Sequence, residues 1–84
     1  MPAYRTVFTR EASDFICRAS HRDMRVLDDW LDRIERLPGT PGDYTELDDT
    51  SRELQVVVLD KFAITYWPDH AVREVRIVRI ETPP

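Results

Sequence analysis

The fold of this chain is decided by residues 52–81, which read RELQVVVLDKFAITYWPDHAVREVRIVRIE. The stretch contains three apolar runs rich in β-branched and aromatic residues, and this composition favours strands. The first run is almost continuously apolar, which is typical of a strand covered on both faces. We predict turns at residues 60–61 and 68–70, and three successive antiparallel strands: Leu54–Leu59, Phe62–Trp67 and Val72–Glu81.

The residues before this stretch predict one strand and two helices. Ala3–Phe8 is short, aromatic and β-branched, which indicates an opening strand. Thr9 and Ser20 are suited to cap the following helices, because a hydroxyl oxygen accepts a hydrogen bond from a free N–H of the first turn. Apolar residues recur at helical spacing after each cap: Ala12, Phe15, Ile16 and Ala19, then Met24, Leu27, Leu31 and Ile34.

The remaining elements complete an α+β pattern. The segment PGTPG at residues 38–42 ends the second helix, and Tyr44–Leu47 is a candidate for an extra short strand. The order β-α-α-β-β-β, with the extra strand inserted, predicts a helical hairpin packed on one face of a mainly antiparallel sheet. At 84 residues, the chain is expected to form a single domain over residues 1–84.

The net charge of −4 is concentrated in one segment of the chain. Basic and acidic residues balance on both sides of residues 43–53. Within that segment one arginine, Arg52, is outnumbered by acidic residues: Asp43, Glu46, Asp48, Asp49 and Glu53. An acidic balance argues against strong nonspecific binding of nucleic acid, which needs clustered Lys and Arg side chains.

Composition also indicates a compartment and argues against cofactors. Cys17 is the only cysteine and is expected to be a buried or half-buried thiol, which suits a reducing cytoplasm. No apolar run approaches the roughly 18 residues of a membrane span, and the start of the chain lacks a signal-peptide pattern. Two glycines provide no phosphate-binding loop, and no metal-ligand spacing occurs. We predict a cytoplasmic protein without membrane contact, metal or cofactor.

Two groups of polar residues are candidates for chemistry. The Asp69–His70 pair has the composition of an oriented general base. Turns also favour both residue types for conformational reasons, and we prefer this conformational interpretation. Alternation along a strand sends Arg73 and Arg79 to one face and Arg76 to the other, unless a bulge intervenes. These arginines are therefore expected to be solvated edge charges, partly neutralised by neighbouring glutamates.

The aromatic residues allow two interpretations. Exposed aromatic rings are stacking platforms for nucleic-acid bases, whereas rings at periodic positions of helices and strands are more often part of the core. We expect a core position for all four of the residues concerned: Trp30, Tyr44, Tyr66 and Trp67.

Three phrases of the sequence resemble the RelE/ParE toxin superfamily of bacterial toxin–antitoxin systems. They are YRTVFTREASDFI at residues 4–16, RIERLPGTPGDY at residues 33–44, and FAITY at residues 62–66 followed by VRIVRI at residues 75–80. The resemblance covers nearly the whole chain. It implies a small fold of the kind derived above and a cognate antitoxin that wraps around it. It also implies an attack on growth, by ribosome-dependent mRNA cleavage or by poisoning DNA gyrase.

The chain departs from the residues that the resemblance implies for catalysis. Ribosome-dependent members use Lys and Arg side chains on the sheet, together with a C-terminal Arg and a Tyr or His. In an alignment by eye, the ending ETPP supplies no such C-terminal residues, and the basic positions of the sheet become uncharged: Gln55, Val57, Leu59 and Ala63. Because phosphodiester cleavage needs charge stabilisation and a proton donor or acceptor, a typical ribosome-dependent ribonuclease is not expected.

Two hypotheses assign the chain an action in the cell. The first is a toxin-family protein that binds an antitoxin and an unknown target, with gyrase or the ribosome as candidates, through Val57, Ala63, Arg73 and Arg79. The second is a ribosome-dependent mRNA interferase with an altered active site, made of Lys61, His70, Arg76 and Arg79. Its weakness is geometric, because the first two of these residues lie at opposite ends of a strand, about 20 Å apart at ~3.3 Å per residue.

A third hypothesis assigns the chain an interaction role without toxicity. In this case a relative of the toxins dimerises, or sequesters an antitoxin, and the acidic segment at residues 43–53 suits it because these charges repel RNA and DNA. Whether the chain is a homodimer is left open by the sequence.

Overall fold

The computed structural model describes residues 3–82 of the chain. The prolines at the C-terminal end of the ETPP phrase therefore lie outside the described residues. Two helices and five strands follow the predicted order, and the extra short strand is present: β1 (Arg5–Phe8), α1 (Arg10–Arg18), α2 (His21–Arg36), β2 (Tyr44–Leu47), β3 (Glu53–Leu59), β4 (Phe62–Asp69) and β5 (Glu74–Glu81).

Both predicted helix caps are formed. The Thr9 hydroxyl accepts a hydrogen bond from the Ala12 N–H, and the Ser20 hydroxyl accepts one from the Asp23 N–H. Each bond satisfies one of the N–H groups that the first turn of a helix leaves without an intrahelical partner. The caps therefore fix the point at which each helix begins.

The strands form one sheet in the order β1-β5-β4-β3-β2. Strands β2 to β5 are joined by antiparallel ladders, and β1 pairs with β5 in parallel. The sheet is therefore mainly antiparallel, as predicted, and its two edges are β1 and β2. Both helices contribute to a core on one face of the sheet, which confirms the predicted α+β class.

The core lies between the helices and three central strands. It is built from side chains at the predicted helical and strand spacings, and Trp30 packs edge-on against Tyr66 with ring centroids 4.9 Å apart. The fully buried members include Leu27, Ile64 and Ile77. Two of the four aromatic residues are therefore core residues, as expected, whereas Tyr44 is exposed and Trp67 is half-buried on the other face.

The turn between β4 and β5 falls later than predicted. Pro68 and Asp69 belong to β4, and the turn starts at His70. Pro68 is tolerated because the β3–β4 ladder ends at the pair Gln55–Tyr66, so the proline lies beyond the last ladder bond on that side. Arg73 closes the turn with φ 55°, which places it outside the strand that was expected to begin at Val72.

A bulge in β5 changes the faces of its arginines. Thr65 is opposite Arg79 and Tyr66 is opposite Ile77, so Val78 is an extra residue without a partner across the ladder. An extra residue in one strand resets the alternation of its side chains. The expectation that Arg76 and Arg79 lie on opposite faces is therefore wrong, because both lie on the face away from the helices.

Two further sequence expectations concern surfaces. Cys17 is exposed, and the prediction of a buried or half-buried thiol is wrong, because this residue lies on the solvent side of α1. Among residues 3–82, no helix is both long and apolar enough to cross a membrane.

Candidate functional site

The face of the sheet opposite the helices is called the open face. Its positions include Leu54, Val56, Thr65, Trp67 and Arg79, as the pairing across β3, β4 and β5 requires. No helix covers it, yet Leu54, Val56 and Thr65 are only 2–3 % exposed. Side chains of the sheet itself must therefore exclude water from this floor.

Arg79 covers the middle of the open face. Its guanidinium donates hydrogen bonds to the carboxylates of Glu46 and Glu81. Glu46 belongs to β2, so the contact spans β4 and β3, and Thr65 and Val56 lie beneath it in the pairing. The long side chains of Arg79 and Glu46 therefore meet above two intervening strands, with neighbouring strands about 4.8 Å apart.

The position of Arg79 has an electrostatic consequence. Burial opposes its positive charge, but the hydrogen bonds that it donates to Glu81 and Glu46 outweigh that cost and raise the pKa of the guanidinium above its ordinary value. The charge is therefore permanent and is already satisfied within the chain.

A second group of ion pairs covers the β1 end of the open face. Glu74 is 7 % exposed and accepts hydrogen bonds from Arg5, with a shortest distance of 2.8 Å. Arg76 lies 3.1 Å from Glu74 and 3.2 Å from Asp69. The sequence prediction that neighbouring glutamates partly neutralise the arginines is confirmed here, and Asp69 of β4 contributes as well. The expectation of edge charges is wrong for Arg76 and Arg79, because β5 lies between β1 and β4.

Trp67 separates these two groups of charges. Arg52 lies over the ring at 4.0 Å from its centroid, and Arg76 approaches the same ring at 5.7 Å. Arginine is attracted to the face of an indole ring by the ring's quadrupole, so these contacts hold both guanidinium groups against the sheet. The long side chains of the open face thus cover its floor and exclude water from it.

The arrangement leaves little capacity for phosphate chemistry. The arginines Arg5, Arg76 and Arg79 are all paired with carboxylates, and Arg52 is held against an indole ring. Stabilising a phosphorane-like transition state requires donors that are aimed at the developing charge, and these donors are aimed at carboxylates instead. The open face is built as a neutral surface rather than as an anion site.

The four candidate catalytic residues do not come together. Lys61 lies in the β3–β4 turn and pairs with Asp23 at 3.3 Å, whereas His70 lies beyond the opposite end of β4. Arg76 and Arg79 are on the open face, as described above. The candidates therefore occupy three separate places, and the altered active site of the second hypothesis is not assembled.

His70 does not form the suggested pair with Asp69. Its Nδ1 accepts or donates a hydrogen bond with the Tyr4 hydroxyl, and the two rings pack edge-on at 5.6 Å between centroids. Asp69 pairs with Arg76 instead. The idea of an aspartate-oriented general base is therefore wrong, and the conformational interpretation of this turn stands.

The uncharged positions of β3 and β4 lie on both faces of the sheet. Gln55, Val57 and Leu59 are on the helix-covered face, where the last two pack against the core. Ala63 is on the open face, opposite Val58. Val57 and Ala63, which were predicted to bind a partner, therefore do not belong to one surface, and β3 supplies no basic side chain to either face.

An apolar groove lies beside β3 on the helix-covered side. It has a volume of about 570 Å³ and is bounded by the C-terminal part of α2, the segment that follows it, and β3. Leu37 and Val57 are among its apolar lining residues, with Arg33, Arg36 and Asp43 at the margins. Val57 thus lines a concave surface, unlike Arg73, which is exposed in the β4–β5 turn.

Several residues of the open face were missed by the sequence analysis. Glu46 was treated only as part of an acidic segment, and Arg52 and Trp67 were not connected with each other. No local pattern links residues 46 and 79, which are 33 positions apart. Within residues 3–82, no group of three or more His, Cys, Asp or Glu side chains is arranged to hold a metal ion.

The fold is that of the RelE-type toxin–antitoxin proteins, as the sequence resemblance implied. The chain superposes with a TM-score of 0.77 and 17 % identity on a chain of the RelBE2 toxin–antitoxin complex from Mycobacterium tuberculosis, covering 99 % of this chain and 100 % of that one. A chain of the archaeal RelE–RelB complex from Pyrococcus horikoshii OT3 matches with a TM-score of 0.76 and 12 % identity, and the match covers 95 % of this chain and 94 % of that one.

Comparisons of sequence do not extend this result. No protein-family profile matches the chain, and no curated protein sequence matches it. At identities below a fifth, the structural likeness establishes the shared fold, while the side chains of the site have to be judged on their own contacts.

Proposed function

We propose that this chain is the toxin, or a toxin-like member, of a type II toxin–antitoxin pair, and that it acts by binding an antitoxin and a cellular target without the usual mRNA cleavage. The shared fold supports the toxin–antitoxin role. The single observation that carries the mechanism is the self-neutralised open face, on which Arg76 and Arg79 are paired with carboxylates of the same chain.

This proposal follows from the needs of RNA cleavage. A ribonuclease must hold a phosphodiester, take a proton from the attacking hydroxyl and stabilise the charge that develops. On the open face, binding a phosphate requires the guanidinium of Arg79 to leave Glu46 and Glu81, which then remain as carboxylates beside the phosphate. Both consequences oppose RNA binding, so a protein target such as gyrase or a ribosomal component suits the chain better than mRNA.

The partner-binding surfaces lie away from the open face. The groove beside β3 is apolar, and a side chain or short helix of an antitoxin fills such a concave surface by burying Val57 and Leu37. Arg33 and Arg36 at its margin favour acidic residues in that part of the antitoxin. The antitoxin is thereby expected to recognise the chain mainly through burial of apolar side chains.

Growth measurements test the toxin role. Induced expression of the chain is expected to arrest growth, and co-expression of the protein encoded by the neighbouring gene is expected to relieve the arrest. Leu37→Asp, which places a charge in the groove at an exposed position outside the core, is expected to abolish relief while leaving the arrest in place. Asp32→Ala, at an exposed position of α2, is the matched control and should behave as the parent does.

The mechanism is tested separately by primer extension on translated mRNA after induction. Arrest without new cleavage sites supports action by binding, whereas cleavage that is lost in Arg79→Ala assigns the chain to the mRNA interferases. Absence of arrest together with a stable complex supports the non-toxic, antitoxin-sequestering relative, which the acidic segment at residues 43–53 favours. Absence of both arrest and complex contradicts the proposal.

A further inference from the structure

The two edges of the sheet differ in how their backbone groups are satisfied. At β1, odd-numbered residues bond to β5, as the donation from Arg5 N–H to the Arg73 carbonyl shows. The N–H groups of Tyr4 and Thr6 point outward, and both donate hydrogen bonds to Glu35 of α2. The Tyr4 N–H donates to the Glu35 carbonyl at 3.3 Å, and the Thr6 N–H donates to the Glu35 carboxylate at 2.8 Å. The β1 edge is therefore closed by a helix.

The β2 edge has no such cover. The Asp48 N–H donates to the Arg52 carbonyl at 3.0 Å, and Glu46 is opposite Leu54 in the same ladder. Because bonded and non-bonded pairs alternate in an antiparallel ladder, the even-numbered residues of β2 bond to β3. The N–H and C=O groups of Thr45 and Leu47 therefore point away from the sheet, and no group among the described residues bonds to them.

Apolar side chains flank this edge on both faces. Tyr44 is on the open face and is 53 % exposed, and Leu47 is on the other face and is 69 % exposed. These are two of the few large apolar side chains that the described part of the chain leaves in solvent. A strand added beside β2 would bury both of them with its own alternating side chains.

The charge around the edge is strongly negative. Residues 43–53 contain five acidic residues and one arginine, and this segment accounts for the net charge of −4 of the whole chain. The Asp48 carboxylate is fixed as an anion, because hydrogen bonds led by that from the Thr50 hydroxyl lower its pKa. A second copy of this chain would bring the same charges together, so an edge-to-edge homodimer is disfavoured.

We propose that β2 is a docking edge at which a partner protein adds an extended, Lys- or Arg-bearing segment as a sixth strand of the sheet. Main-chain bonds to Thr45 and Leu47 hold the segment, alternate side chains cover Tyr44 and Leu47, and its basic residues meet the acidic segment. The assignment of that partner as the antitoxin rests on the proposed function, whereas the docking edge itself does not.

Nuclear magnetic resonance on the isotope-labelled full chain tests the edge directly. The probe is a synthetic peptide of alternating valine and threonine flanked by lysines, and the comparison peptide carries glutamates in their place. The lysine peptide is expected to shift the amide signals of Thr45 and Leu47 and to slow their hydrogen exchange. The glutamate peptide is expected to bind about tenfold more weakly at low salt, with the difference shrinking as salt screens the charges.

Two variants of Thr45 distinguish backbone pairing from nonspecific binding of the peptide. Thr45→Pro removes an outward N–H and is compatible with an edge strand, so it is expected to abolish the effect while the remaining spectrum stays folded. Thr45→Val keeps the N–H and is expected to retain binding. Shifts centred on Phe8 of β1, equal binding of both peptides, or binding that survives Thr45→Pro would each overturn the proposal.

Growth arrest and amide protection, measured on the same protein, distinguish failure of the docking edge from failure of the toxin role. If growth arrest is absent but the lysine peptide still protects Thr45 and Leu47, the proposed function is wrong and the docking edge stands. If a neutralising neighbour forms a complex in which the exchange of these two amides is unchanged, the toxin role stands and the docking edge is wrong.

Discussion

The two faces of this sheet exclude water by different means. The helix-covered face does so with apolar packing, in which Trp30, Ile64 and Ile77 interlock between the sheet and the helices. The open face has an apolar floor of the same quality, with Val56 at 2 % exposure, but its cover consists of arginine side chains such as Arg79 held in place by carboxylates. Packing stabilises one face, and charge pairing closes the other.

The difference shows what each face is able to do. Apolar contacts are non-directional and add to stability in proportion to buried area, whereas a solvent-facing ion pair contributes little stability. The helix-covered face is therefore the foundation of the fold. On the open face, Arg76 and Arg79 are paired with carboxylates of the same chain rather than left free to bind a phosphate.

The largest effect is expected from breaking the helix-covered face. Ile77→Ala removes a fully buried side chain between the sheet and the helices and is expected to lower the free energy of unfolding by ~2–5 kcal/mol. Urea denaturation followed by circular dichroism measures it. Val78→Ala, next to it but half-buried at the bulge, is the matched control and should cost clearly less. Equal losses would mean that Ile77 is not packed more tightly than the half-buried Val78.

A smaller but definite effect is expected at the deepest carboxylate of the open face. Glu74→Ala leaves Arg5 without its carboxylate and Arg76 with only Asp69, and is expected to cost ~1–3 kcal/mol in unfolding free energy. The control is Glu81→Ala, because Glu81 is exposed and Arg79 keeps Glu46. Its cost is expected to stay below ~1 kcal/mol. A larger loss for Glu81→Ala would contradict the described burial of Glu74.

Tyr66 links the core to a pH-dependent loss of stability. Burial, and secondarily the charge of Asp43, raise its pKa from 10.0 to about 12, and its hydroxyl donates to the Thr40 carbonyl at 2.9 Å. Above pH 10 the unfolded chain releases this proton before the native chain does, so stability falls as pH rises from about 10 to about 12. At lower pH the contribution is fully present.

The variant Tyr66→Phe isolates this contribution. It is expected to lose ~0.5–1.5 kcal/mol at neutral pH, because the hydrogen bond to Thr40 is gone, and to lose less of its remaining stability between pH 10 and pH 12 than the parent does. Denaturation midpoints at a series of pH values measure both. Parallel curves for parent and variant would show that the hydroxyl titrates normally.

The element order of the fold was predictable, because it depends on local signals. Helical spacing, the Thr9 and Ser20 caps and the apolar run of β3 each specify structure within a few residues. The class of fold follows from their order alone. The turn at His70 was misplaced because a proline inside a strand is tolerated only where the neighbouring ladder has ended, and that depends on pairing rather than on local sequence.

The site was far less predictable, since its contacts join distant parts of the chain. The bulge at Val78 places Arg79 on the open face, where its long side chain reaches Glu46 across β4 and β3. The closing of the β1 edge by Glu35, 29 residues from Thr6, is of the same kind. These long-range contacts have no signal in the spacing of residues, so Arg79 was predictable as a candidate and its partner Glu46 was not.

The smallest expected effect on stability comes from the change that should alter function most. Glu46→Gln combined with Glu81→Gln removes both carboxylates around Arg79, which lies near the surface, so the unfolding free energy is expected to change by less than ~1 kcal/mol. The guanidinium is then available to a phosphate. We expect the double variant to bind a short single-stranded RNA measurably more tightly than the parent, with an affinity that falls as salt is raised.

Bulk charge must be separated from this local effect, because the double variant also loses two negative charges. Asp29→Asn combined with Asp32→Asn makes the same change of net charge at exposed positions of α2, away from the open face. Fluorescence anisotropy with a labelled RNA should show tighter binding for the open-face pair of substitutions and little change for the helix pair. If both pairs bind equally, net charge alone repels RNA; if only the open-face pair binds, the carboxylates around Arg79 are what keeps this face from acting on nucleic acid.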